Sequence, residues 1–165
     1  MGNNRKFWRK RTPEYIPEAP LGHDGRWRWI FYDVDQSFRN PEEDRLAYTT
    51  VNDFNSTVLL RKLLERKEVE YTFINRICDH MNASFKPGRV VAVIDSMAEQ
   101  MAQDFPEHIL RWGFWNDDQN IQELKDFAQL RPQFMRNHLK NRFQLTDTAI
   151  VKLQTNPVRG KIRIN

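Results

Sequence analysis

Between residues 12 and 25 the chain carries Pro13, Pro17, Pro20, Gly22 and Gly25, and neither a helix nor a central strand can run through such a stretch. The loop ends in Asp24-Gly25, a strong hairpin signal, directly before Arg26-Trp27-Arg28-Trp29-Ile30-Phe31-Tyr32. On an extended backbone Trp27, Trp29 and Phe31 point one way and Arg28, Ile30 and Tyr32 the other, which predicts a strand with at least one buried aromatic face. Residues 5–11 read as a short strand on the far side of the loop. The expectation is an antiparallel ribbon of 5–11 against 26–32.

The second strand runs into Asp33 and Asp35, two residues apart. Carboxylates at a strand end can hold a divalent cation such as Mg²⁺ through hard oxygen ligands, or cap the following turn, and spacing alone leaves both open. Antiparallel pairing brings Asn3 and Asn4, at the start of the first strand, close to Asp33 and Asp35.

Gln36 to Phe54 is polar and irregular and reads as a surface loop. Helical periodicity then takes over. A first helix follows a cap at Asn55 or Ser56, with Val58, Leu59, Leu60, Leu63 and Leu64 on its apolar face. A second covers about 68–83, and a third, opened by Pro87, covers about 87–103 with Met97 and Met101 in a core stripe. A short helix starts at Pro106, its face made by Ile109, Leu110 and Trp112. A long one covers 118 to about 142, divided or kinked at Pro132. Residues 149–154 and 161–164 alternate around an Asn156-Pro157 turn and predict a terminal hairpin. The fold class is α+β: an N-terminal antiparallel ribbon and a mainly α-helical lobe over 1–145, with a short C-terminal β-hairpin, or the start of a following β module, over 146–165.

Hydrophobic content of 39% with 12% aromatic residues excludes a disordered chain, and 165 residues can bury one core. No run approaches the ~18–20 apolar residues of a membrane span. The only cysteine, Cys78, rules out an internal disulfide, and with no flanking motif to lower its pKa it reads as a buried, inert thiol. His80, His108 and His138 lack metal-ligand spacing and read as satisfied or exposed. Arg5, Lys6, Arg9, Lys10 and Arg11 contribute five positive charges, so against a net of +4 the remainder of the chain carries −1. Interleaved with Phe7 and Trp8, this cluster suits nucleic acid, acidic protein or nucleotide phosphates. Nucleic acid ranks last, because no reading module accompanies it.

Gly2-Asn3-Asn4 followed by Lys6-Phe7-Trp8-Arg9, and Gly25-Arg26-Trp27-Arg28-Trp29-Ile30 leading into Tyr32-Asp33-Val34-Asp35, resemble the CotH family of spore-coat-type and secreted bacterial proteins. Residues 56–64, Phe73-Ile74-Asn75-Arg76, Asp79-His80-Met81-Asn82, residues 106–112 and Arg131-Pro132 carry the similarity through the helical half, over roughly residues 2–145. The resemblance implies an atypical protein-kinase-like fold, the helical lobe answering to a kinase C-lobe. It implies ATP and Mg²⁺ as cofactors, a Ser-rich protein as phosphoryl acceptor, and a cell-envelope or extracellular location. Asp33 and Asp35 then look like the kinase metal-binding Asp, and Asn3-Asn4 like the catalytic-loop Asn on the second metal. On that footing Asn4 and Asp35 are expected to be catalytic, Asn3, Asn4, Asp33 and Asp35 to meet the cofactor, and Asp33, Asp35 and Asn4 to bind metal.

The family's Asp ahead of the Asn-Asn pair, and the nucleotide-clamping lobe, have no counterpart after Met1, and Gln36-Ser37-Phe38 stands where a Gly-containing sequence is usual. The expectation is a C-terminal fragment of a larger kinase, itself showing little or no activity. The alternative is a non-catalytic scaffold or interaction module of a cell-envelope or coat assembly.

Overall fold

The computed structural model describes residues 6–30, 32–34, 37–51, 57–113, 117–149, 151, 152 and 154. Strand β1 (Lys6–Trp8) pairs antiparallel with β2 (Arg28–Ile30), Phe7 opposite Trp29 and Lys6 opposite Ile30. The ribbon is where the proline-rich loop requires it, but three residues long on each side.

Asp24 locks the loop to the ribbon. Its carboxylate accepts from both terminal nitrogens of Arg28, at 2.7 and 2.8 Å, and from the Arg26 backbone N–H at 3.1 Å. Gly25 has φ +80°, and a Cβ there would fall on the Thr12 hydroxyl, so this turn position is reserved for glycine. The Arg28 fork holds the Asp24 carboxyl down at about 2, from an ordinary 3.8. A depressed folded-state pKa contributes stability that is complete above the unfolded value and lost as pH falls through the folded one. The ribbon's tryptophan near-UV dichroism is therefore expected to hold down to pH ~4 and decay toward pH ~2. The Asp24→Asn variant should show no such acid limb; a limb that persists in it would remove Asp24 as the cause.

The buried aromatic face expected of the second strand is not found. Phe7, Trp27 and Trp29 gather edge-to-face, with ring centroids 5.2 and 5.7 Å from Phe7, yet they are 57, 61 and 58% exposed. The ribbon has two strands, and no described layer covers this face. Arg9 stacks over Trp27 at 4.9 Å, which adds cationic character to it.

The remainder is helical: α1 (Arg45–Thr50), α2 (Val58–Leu64), α3 (Lys67–Asn82), α4 (Pro87–Met101), α5 (Phe105–Trp112) and α6 (Asp117–Phe143). The α+β class is thus met by one small antiparallel sheet and six helices among the described residues. Two corrections concern helix boundaries. Within the stretch read as a loop, Asp44 accepts from the Ala47 N–H at 2.8 Å and starts α1, a helix too short to show periodicity. Of the two courses expected at Pro132, division is not found, since α6 runs 27 residues through it. Thr57 stands at the α2 N-cap, its hydroxyl accepting from Arg61 Nε at 3.1 Å, whereas Asn55 and Ser56 lie outside the described residues.

The core centres on Leu46 of α1, Met81 of α3 and Leu139 of α6, with Phe73, Ile77, Cys78, Met135 and Phe143 against them. Phe73, Ile77 and Met81 are the helical period read from the sequence. Met97 and Met101 of α4 are instead exposed, as is the apolar face of α5, where Leu110 is 88% accessible. Ala149, Val151, Lys152 and Gln154 are not in a strand, and the rest of the expected terminal hairpin lies outside the described residues.

Candidate functional site

Antiparallel pairing of Lys6 with Ile30 puts the start of β1 and the end of β2 at the same ribbon end. Lys6 Nζ sits 4.8 Å over the Tyr32 ring, which ties the two strands together one residue short of Asp33. Asp33 is exposed and has φ +58°, left-handed backbone that costs an ordinary L residue roughly 1–2 kcal/mol and that Asp tolerates better than most. Residues held in this region cluster at ligand sites, because the surroundings must hold them there. The chain then reverses, the Ser37 N–H donating to the Val34 carbonyl at 2.9 Å.

Of the residues read as a metal site, Asp33 is therefore a hard oxygen donor at the ribbon end. Asn3, Asn4 and Asp35 lie outside the described residues. Among the described residues no group of three or more His, Cys, Asp or Glu side chains converges as a cation cage.

The strap from Ser37 to α1 is pinned by α6, a connection the sequence reading missed. Arg131 Nη1 donates to the carbonyls of Pro41 (2.7 Å) and Glu43 (2.8 Å), while Arg142 donates through Nε to the Thr50 hydroxyl at 2.7 Å. These arginines, eleven residues or about three turns apart on one helix face, grip the segment before α1 and the last residue of α1. Burial lowers the Arg131 pKa, with Asp44 and Glu43 acting against it, and the guanidinium stays charged. Between the two arginines, His138 is buried, its Nδ1 without a hydrogen bond among the described residues and 3.8 Å from Asp44 Oδ1. It is neither exposed nor satisfied, as a lone histidine had been expected to be. Cys78 is half-buried and not buried as expected, and desolvation is the largest cause pushing its thiol pKa up.

Among the described residues the arrangement offers an exposed Asp33 at the ribbon end, with the following strap fixed to the long helix. A family model described as CotH kinase protein matches residues 1–135 of the 165. No curated protein and no solved structure matches the chain.

Proposed function

The chain belongs to the CotH kinase protein family, and from that premise we propose that it carries part of the metal-binding side of a phosphoryl-transfer site, in a protein that moves phosphate from ATP to serine-rich protein. The observation carrying this reading is Asp33, an exposed carboxylate at a ribbon end in left-handed backbone. Phosphoryl transfer asks little covalent chemistry of a protein and depends on positioning and charge neutralisation. Asp33 and Asp35 supply carboxylate oxygens, and Asn4, with Asn3 beside it, an amide oxygen, for holding the cation. A divalent cation such as Mg²⁺ held by these oxygens would supply the positive charge that offsets the nucleotide phosphates. The Arg131 grip on Pro41 and Glu43 limits how far the strap behind Asp33 can move. The helical lobe takes the place of a kinase C-lobe, and the acceptor protein belongs to a spore coat or cell surface.

Titration with Mn²⁺, followed by its electron paramagnetic resonance signal, tests the metal assignment. Saturable binding is expected, weakened about tenfold, or 1.4 kcal/mol, by Asp33→Asn. Equal affinity in the variant would take Asp33 out of the site.

A second reading is favoured by the exposed cluster of Phe7, Trp27 and Trp29, which suits a non-catalytic interaction module using the ribbon as a contact surface. Calorimetry with ATP and Mg²⁺ separates the two: a scaffold gives no heat of binding.

A further inference from the structure

The helical lobe contains a cavity of about 530 Å³, and Asp33 is not among the described residues that line it. Its walls are apolar: Ile77 and Met81 from α3, Val90 from α4, and Phe127, Ala128 and Met135 from α6. The 37–45 strap, with His80 and Phe85, forms the remaining wall. Phe38 of that strap has φ +59°, a strained conformation for a bulky aromatic residue, and its ring lies against Phe127 with centroids 4.9 Å apart. A cavity of this size, mostly apolar with a few polar groups on one side, has the build of a small-molecule site.

The polar side has a sign. Three arginines, Arg39, Arg45 and Arg131, face a single acid, Glu43. Glu43 is taken by Arg45, whose Nε lies 2.9 Å from its carboxylate, and Arg131 is occupied by the Pro41 and Glu43 carbonyls. Arg39 is exposed at the rim and has no ion pair among the described residues. An apolar chamber with an uncompensated guanidinium at its mouth is complementary to a molecule with an apolar tail and an anionic head.

We propose that this cavity binds an amphiphilic carboxylate, its alkyl chain among Ile77, Met81, Phe127 and Met135 and its head group on Arg39. Phe38 lies five positions after Asp33, so a tail packed against Phe38 loads the strap that leads away from the candidate metal position.

Calorimetric titration of the chain with dodecanoate, below the concentration at which it forms micelles, provides the test. Saturable one-to-one binding is expected, with dodecyltrimethylammonium, which has the same tail and the opposite charge, at least tenfold weaker. Arg39→Glu should cost dodecanoate at least tenfold. Val90→Trp, which fills the chamber from the α4 side, should abolish binding while far-UV dichroism keeps its helical signal. Should that variant fail to fold, nuclear Overhauser contacts between the dodecanoate chain and the Phe38 and Phe127 rings of the unaltered protein decide the matter. Absence of saturable binding, equal binding of the two head groups, retained binding in folded Val90→Trp, or contacts confined to the ribbon tryptophans would each overturn the proposal.

Discussion

Replacing Leu139 by alanine is expected to lower the free energy of unfolding by about 3 kcal/mol, read as a fall in the urea midpoint at unchanged slope. Leu139 is the most enclosed of the buried apolar side chains, 2% accessible, and it contacts the cluster that joins α1, α3 and α6. Truncation removes its transfer free energy and leaves a void between three helices. Collapse into that void is limited because α1 is held at both ends by Arg131 and Arg142. The inventory of buried apolar side chains is short, comprising Leu46, Leu64, Ile74, Met81, Ala128 and Leu139 among the described residues, so each member carries a large share of a margin of only ~5–15 kcal/mol. Leu110→Ala is the matched control: the same chemistry at 88% exposure should stay within about 0.5 kcal/mol of the parent. A Leu139→Ala loss as small as that of the control would place the core elsewhere.

Arg131→Met is expected to cost about 2 kcal/mol. The substitution keeps the apolar length of the side chain but removes two hydrogen bonds from a charged donor, each of a kind worth about 1.5–3 kcal/mol. Part of that is recovered because the Glu43 carbonyl can take water, its bond with Arg131 being exposed. The damage should be local: amide exchange at Ala47, whose N–H is held by Asp44 in the pinned segment, should speed up more than exchange in the middle of α3. Equal acceleration at both places would mean that the arginine acts on the whole fold and not on the strap.

What could be read from the sequence follows from how local its causes are. Helix α3 was legible because Phe73, Ile77 and Met81 repeat at helical spacing within its sixteen residues, and the ribbon because the proline-rich loop leaves no other course between two alternating stretches. Helix α1 was not legible: six residues show no period, and what fixes them comes from arginines about ninety positions away. The burial of the ribbon aromatics was misjudged because alternation marks a strand without saying that anything covers it, and the same holds for Met97, Met101 and Leu110. For the candidate site, Asp33 was found from its place after an aromatic strand, but its left-handed backbone could not be, since Asp adopts either hand at modest cost. The cavity was invisible for the same reason as α1, its walls coming from residues 37 to 135.

The two-stranded ribbon has a kinetic consequence. Among the described residues its strands pair only with each other, and its ion pairs and stacked cations lie within the first 32 residues, whereas α1, α3 and α6 share one core. Short ribbons of this kind are marginal alone, so the N-terminal section should open on its own, many times for each global unfolding event. A protease added under native conditions would accordingly cut first around the loop between the strands, at a rate following that local opening equilibrium, and leave the helical lobe from α1 to α6 as the long-lived product.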